Sequence, residues 1–196
     1  PTPIQSESIP FLLAEENDLI ALAQTGTGKT AAFGLPIIQH IETDSKQTQA
    51  IILCPTRELC LQITKDMETY AKYTKGLKIT AVYGGANIQT QIKALNSGSQ
   101  IVVGTPGRVM DHLKRGTLKL NSLKALVLDE ADEMFDMGMA QDVEKIISAT
   151  PKDRQTVFFS ATMPNWVAKT AKKPLNNPKT VAVDADMHTP PDIEHV

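Results

Sequence analysis

The sequence predicts an α/β domain with a mostly parallel sheet of about seven strands flanked by helices. Three observations carry that expectation. Short apolar runs recur at 19–23, 50–54, 79–83, 101–103, 125–128, 157–159 and 181–183, each bounded by polar, Gly or Pro positions. Runs of that length suit strands buried on both faces. Between them lie helical stripes, such as Leu59, Ile63, Met67 and Tyr70 at spacings of four and three, and Val143 with Ile146 and Ile147. There is no internal repeat, low-complexity tract or long block of like charge, which sets solenoids and charged tails aside. Strands alternating with helices give a parallel sheet covered on both sides, whose ligands sit at the carboxyl ends of the strands.

Taken in order, the chain opens on a Pro1-Thr2-Pro3 turn leading into a helix, with no strand before it. The first apolar run is followed by a Gly-rich turn and a helical segment at 31–41. After the second run, Thr56 stands where a helix N-cap would be, ahead of the Leu59–Tyr70 stripe. The third run ends in Gly84-Gly85. The fourth is followed by Thr105 at a second N-cap position and by Pro106, which suits the first helical residue. The fifth run passes directly into Asp129-Glu130-Ala131-Asp132, and behind it Met134, Met137 and Met139 surround Phe135, which reads as a core plug by default, with a partner surface as the alternative. The sixth run leads into Ser160-Ala161-Thr162. Trp166, two residues after Pro164 at a helix start, reads as packing. Residues 1–186 read as one domain, truncated at its N-terminal edge, and 187–196, with Pro190 and Pro191, as the start of a linker. The whole is expected to be one domain of a longer protein.

Composition narrows the function classes. The 196 residues carry 20 basic and 22 acidic side chains for a net charge of −2. A protein that grips nucleic acid by bulk positive charge is therefore excluded, and any such contact must come from a few placed side chains and backbone amides. No strongly apolar run exceeds five residues, far below the ~20 of a spanning helix. No membrane association is expected. Cys54 and Cys60 form no disulfide framework or metal knuckle, which fits a reducing cytoplasm. His40, His112, His188 and His195 lack metal-ligand spacing and read as surface or linker histidines. Ser160 lacks the Gly-x-Ser-x-Gly setting of a hydrolase nucleophile.

Two sites carry chemistry. After the first run come Ala23, Gln24, Thr25, Gly26, Thr27, Gly28, Lys29 and Thr30, then a helix. A turn of this kind presents backbone N–H groups and a helix N-terminus to phosphate oxygens. Lys29 would reach the β- and γ-phosphates, and the Thr30 hydroxyl would bind Mg²⁺. The usual spacing places Gly where Ala23 stands, and the extra Gly26 keeps the turn permissive. The second site is the acidic pair. Asp129, leaving a buried strand, would hold Mg²⁺ through water, and Glu130 could polarise the attacking water. Together they imply a Mg²⁺-dependent nucleoside triphosphatase. The absence of an Asn-Lys-x-Asp sequence disfavours a GTPase.

Asp129 to Asp132 spell D-E-A-D, and nearly the whole chain resembles the N-terminal RecA-like domain of DEAD-box ATP-dependent RNA helicases of the bacterial type. The resemblance implies that Gln5, at the end of a Q motif, recognises adenine, since its amide offers both a donor and an acceptor. The aromatic residue that stacks on the base in the family lies upstream of Pro1. A phosphate motif beginning with Ala is typical of the family. Lys29, Asp129 and Glu130 would be catalytic, and Thr30 and Asp129 would hold the metal. Asp132, Ser160 and Thr162 resemble the motifs that couple hydrolysis to strand separation. RNA contacts are implied for Pro55, Thr56 and Arg57, for Gly84 and Gly85, and for Thr105, Pro106, Gly107 and Arg108. Each of these stretches follows an expected strand, so all lie on one sheet edge, and they suit contact with RNA backbone and not base sequence. Cys60 stands where the family more often has alanine.

The resemblance further implies ATP and Mg²⁺ as cofactors, and local unwinding of RNA duplexes or remodelling of RNA–protein complexes. It implies a monomer whose cleft is completed by a C-terminal RecA-like domain, absent from this sequence, which supplies arginines to the transferring phosphate. The isolated domain is then expected to be weakly active or inactive. Two alternatives stay open: an ATP-dependent RNA clamp without processive unwinding, which uses the same residues, and a DNA-directed helicase ATPase, which differs in its response to a 2′-hydroxyl.

Overall fold

The computed structural model describes residues 1–162 and 175–183. The expected positions Pro164, Trp166, His188, His195 and the 187–196 linker lie outside them. Helix α1 (Pro3–Ala14) is started by Thr2, whose hydroxyl accepts from Gln5 N–H while the Gln5 amide oxygen accepts from Thr2 N–H. This reciprocal capping box satisfies two otherwise orphaned donors. Then follow β1 (Leu19–Leu22), α2 (Lys29–His40), β2 (Ala50–Leu53), α3 (Arg57–Tyr70), β3 (Ile79–Val82), α4 (Ile88–Asn96) and β4 (Ile101–Gly104). The remainder comprises α5 (Pro106–Lys114), β5 (Ala125–Leu128), α6 (Ala131–Asp136), α7 (Ala140–Ser148), β6 (Gln155–Ser160) and β7 (Lys179–Ala182).

Among the described residues the strands form one seven-stranded sheet in the order β3-β4-β2-β5-β6-β1-β7. Every pairing is parallel, with Leu53 opposite both Gly104 and Leu128, and Leu22 opposite both Ser160 and Ala182. The fold class is therefore the expected one. The central strands β2 and β4 are buried throughout. The edges differ from the expectation of strands buried on both faces: β3 alternates half-buried and buried residues, and β7 buries only Val181. An edge strand has one neighbour and less helix above it, so only its inward positions need to be apolar.

The sheet separates two cores. Ile4, Phe33, Ile37, Ile63 and Met67 pack α1, α2 and α3 against one face through Ile52, Val103 and Phe159. Val109, Met134, Val143, Ile146 and Ile147 pack α5, α6 and α7 against the other through Ile51, Leu126 and Phe158. Asp18 ties the strand starts together, accepting from Thr156 N–H and Asn176 N–H at 2.6 Å each. Burial pushes its carboxyl above the ordinary value in spite of those two bonds and Arg154.

Three expectations about side chains are corrected. His112 is completely buried, whereas His40 is exposed as expected. The α3 stripe is centred on Cys60, Ile63, Thr64 and Met67, with Leu59 half-buried and Tyr70 at the solvent edge. Of the expected methionine plug only Met134 is fully buried; Met139 packs partly beside it, and Phe135 and Met137 are exposed. The short helix α6 has just six residues, so one side faces the core and the other cannot.

Candidate functional site

Parallel register carries every strand-to-helix turn to one rim of the sheet. The strand order divides that rim into two halves that meet between β2 and β5. On one half are the turns after β1, β5 and β6; on the other are those after β2, β3 and β4.

In the first half, the turn from β1 enters α2 through Gly28 at φ 87°, ψ 25°, with Gly26 at φ 82°. Both lie in the left-handed region that glycine adopts without strain. The Thr27 hydroxyl donates to Gln24 O at 2.8 Å and tightens the loop. A Cβ on Gly28 would fall 2.4 Å from Gln5 Nε2, because the Gln5 amide donates to Gly28 O at 3.2 Å. Gln5 is thus placed against the loop from α1. Its amide oxygen and one N–H are engaged with Thr2 and Gly28, leaving a second N–H and a lone pair for a base edge.

Lys29 opens α2 and is 94% buried by its neighbours, with Nζ 3.5 Å from Asp129 Oδ1. Thr30 is half-buried beside it. Asp129 follows β5 and is only 2% exposed. Burial pushes its carboxyl up, the Lys29 ammonium pulls against this, and Glu130 adds to the rise. Asp129 Oδ1 also accepts from Glu130 N–H at 3.1 Å. Glu130 itself stands at φ 54°, ψ 51°, and its carboxylate accepts from the Thr25 hydroxyl at 3.4 Å. The Gly-rich turn after β1 and the acidic turn after β5 therefore touch directly. The Thr25–Glu130 contact is absent from the sequence reading, since the residues lie 105 positions apart. Glu133, one helical turn on, has its carboxyl raised by sharing a hydrogen bond with Glu130.

Asp132 reaches the turn after β6. Its Oδ2 accepts from both Thr162 N–H and the Thr162 hydroxyl at 3.0 Å. Burial raises the Asp132 carboxyl, but these bonds outweigh it and hold the group below its ordinary value. Ser160 is buried at the end of β6; its hydroxyl helps to keep Asp132 low, yet meets no partner at ordinary hydrogen-bond geometry among the described residues.

In the second half, Pro55 is buried and Thr56 caps α3, its hydroxyl accepting from Leu59 N–H at 3.2 Å. Arg57 is exposed, with its guanidinium 5.1 Å above the Tyr83 ring. That contact brings it beside Gly84 and Gly85, both exposed. Thr105 precedes α5 as expected, but its side chain makes no capping bond; its N–H donates to Val82 O at 3.1 Å. Pro106 is buried at the helix start, Gly107 is exposed, and Arg108 is half-buried. Arg108 Nη1 donates to Ala86 O at 3.2 Å and to Gln91 Oε1 at 3.0 Å. All of the implied contact stretches thus converge on one surface.

Two buried residues lie behind that surface: Gln91, which the sequence reading does not single out, and His112, which it places at the surface. Gln91 is the one fully buried side chain of α4, whose apolar positions Ile88, Ile92 and Leu95 are half-buried. It donates to Tyr83 O at 3.1 Å and accepts from Arg108 and, at 2.9 Å, from His112 Nε2. His112 Nδ1 faces the Thr117 hydroxyl at 2.8 Å. Desolvation lowers the His112 pKa, and the Arg108 charge lowers it further. A search by apolar periodicity passes over a buried polar pair of this kind.

Among the described residues, no group of three or more His, Cys, Asp and Glu side chains is placed to hold a metal, and no helix is long and apolar enough to cross a membrane. A small cavity of about 50 Å³ lined by Leu12, Phe33, Ile37, Ala50, Ala125 and Val157 lies towards the amino ends of the strands, away from the rim. Among the described residues the rim is an open shelf with no opposing wall.

Comparison with known proteins accords with this geometry. Residues 2–170 match the family described as DEAD/DEAH box helicase. The chain is 48% identical over 193 residues to the ATP-dependent RNA helicase DeaD of Escherichia coli strain K12, covering 98% of this chain and 30% of that protein. It is 52% identical over 184 residues to the ATP-dependent RNA helicase CshA of Limosilactobacillus reuteri, covering 94% and 37%. A crystal structure of a DEAD box protein from the hyperthermophile Methanococcus jannaschii superposes with a TM-score of 0.89 at 47% identity, over 94% of this chain and 50% of that one. The chain thus spans about a third of the length of the curated relatives it matches.

Proposed function

The chain belongs to the DEAD/DEAH box helicase family, and from that premise we propose that it is the ATP- and RNA-binding half of an ATP-dependent RNA helicase. ATP would lie on the turn from β1 with its adenine against Gln5, and Ala23 to Thr30 would cradle the phosphates. The observation that carries this reading is the junction of two motifs: Lys29 Nζ stands 3.5 Å from Asp129 Oδ1, and Thr25 bonds Glu130. A lysine beside a buried carboxylate at a helix N-terminus supports phosphate binding, with the helix amides adding further donors.

The donors here also suit Mg²⁺. The ion prefers oxygen ligands and keeps several waters, so one carboxylate and one hydroxyl are enough protein ligands when phosphates supply the rest. Asp129 and Thr30 would hold it, and it would neutralise charge on the phosphate oxygens. Glu130 would accept a proton from the attacking water, since its carboxylate stands at the rim within reach of the Gly-rich turn through Thr25. Asp132 would pass the state of that site to β6 through Thr162.

RNA would lie along the second half of the rim. Arg57 and Arg108, the amides opening α3 and α5, and the open backbone at Gly84-Gly85 would meet phosphates. The net charge of −2 supports a mode that relies on these few contacts. A C-terminal helicase domain would close the shelf and complete the ATP site, in a monomeric protein of the reducing cytoplasm. Free, buried Cys54 and Cys60 are compatible with that setting.

The test is steady-state ATP hydrolysis by the full-length protein with single-stranded RNA, with DNA and with neither. RNA should stimulate, DNA should not, and Glu130→Gln should lower stimulated turnover by about 10²-fold or more while ATP still binds. Equal stimulation by DNA would remove the RNA assignment. RNA that stays bound with ATP without stimulating turnover would favour the clamp.

A further inference from the structure

Behind the half of the rim proposed for RNA lies one buried amide that bonds to three other side chains or backbone groups there. Gln91 is 6% exposed, and its neighbours fix its orientation. Arg108 has only donors, so the atom facing it is the amide oxygen; the Tyr83 carbonyl has only acceptors, so the atom facing that is the amide nitrogen. The oxygen then accepts from His112 as well, which requires a proton on His112 Nε2. In the neutral ring, Nδ1 accepts from the Thr117 hydroxyl. Each polar atom of this buried group has a partner, as a rigid network needs.

The network adds side-chain ties between α4, α5 and the end of β3. Tyr83 lies at the end of β3 and carries Arg57 over its ring. Arg108 lies on α5 and also grips Ala86 O, just past Gly84-Gly85. Gln91 joins the two from α4. Both of the Arg108 bonds use Nη1, so Nε and Nη2 are the groups that a phosphate would meet. The partner is also a neutral amide and not a carboxylate. Arg108 is therefore placed without being neutralised, and the nearby Asp111 carboxylate is engaged with Arg115 at 2.7 Å.

We propose that Gln91 is a positioning residue for RNA binding, holding Arg108 and the Tyr83–Ala86 turn in register while leaving the Arg108 charge free. The inference rests on the RNA reading of this rim given above. Two substitutions separate its two parts. Gln91→Met keeps length and removes every hydrogen bond; Gln91→Glu keeps the acceptors but places a negative charge against Arg108 and loses the donor to Tyr83.

The experiment is RNA-stimulated ATP hydrolysis by the full-length protein as a function of single-stranded RNA concentration at several salt concentrations, with thermal midpoints measured in parallel. Gln91→Met should raise half-saturating RNA about fivefold, leaving kcat at saturating RNA and the half-saturating ATP concentration at their wild-type values. Gln91→Glu should weaken RNA at least as much and flatten the salt dependence by about one phosphate contact, because it compensates the Arg108 charge. Arg108→Ala serves as the control on the premise. If Arg108→Ala leaves RNA dependence unchanged, the RNA reading of this rim fails and the proposal falls with it. If Arg108→Ala weakens RNA while both Gln91 variants behave as wild type, the proposal alone is overturned. A loss of kcat, ATP affinity and thermal midpoint together in Gln91→Met would show a merely structural role and overturn it too.

Discussion

Glu130 is held at φ 54°, ψ 51°, a conformation that costs a non-glycine residue on the order of 1–3 kcal/mol. It persists because Asp129 accepts its N–H and Thr25 donates to its carboxylate, so the backbone strain serves to aim a side chain across to the Gly-rich turn after β1. His112 is a residue of the opposite kind, neutral and buried among Arg108, Asp111 and Arg115, with Gln91 and Thr117 on its ring. Burial holds its pKa below 6.5, so the folded protein binds fewer protons there than the unfolded chain. The stability due to the neutral ring is fully present above pH 6.5 and is lost as pH falls through the lowered folded value. His112→Asn cannot titrate. It should be less stable than wild type at pH 7.5, and that deficit should shrink at pH 5.5, as read from urea midpoints. Parallel pH dependences for the two proteins would show that His112 does not titrate differently on unfolding.

Helix starts on the second half of the rim look alike in sequence and differ in structure. Thr56 and Thr105 both precede helices in extended conformation, but only Thr56 accepts a bond from the first turn. Thr56→Ala should therefore cost about 1 kcal/mol of unfolding free energy, and Thr105→Ala well under half of that. Equal losses in chemical denaturation would contradict the difference in capping. The same pair shows what was legible in the sequence. Cap positions, strand runs and the Gly-rich turn are local patterns, and α3, α5 and the β1–α2 turn stand where those patterns place them. What a cap or a histidine actually bonds to is decided by residues distant in the chain. His112 meets Gln91 at a separation of 21 positions, and neither residue carries an apolar signal. Phe135 and Met137 misled for a related reason: in a six-residue helix, composition does not say which side meets the core.

At the scale of the molecule, the strand order sets the half of the rim proposed for ATP and the half proposed for RNA side by side, joined where β2 pairs with β5. Among the described residues the two halves share the β2–β5 pairing, and none of those residues covers either half. A chain with a net charge of −2 has no bulk attraction to RNA. Binding at one half would change the other only if something touched both. The proposed C-terminal helicase domain is placed to do so, because a body closing over the shelf contacts ATP and RNA together and is favoured by each. Coupling between sites is reciprocal, so RNA must tighten ATP by the factor by which ATP tightens RNA. In the full-length protein a non-hydrolysable ATP analogue should tighten single-stranded RNA about tenfold or more, with RNA tightening the analogue equally. In the 196-residue chain alone both factors should stay near one. Fluorescence anisotropy with labelled RNA, with and without the analogue, measures both proteins directly. A tenfold effect in the isolated chain would place the coupling inside this domain and would remove the need for a closing partner.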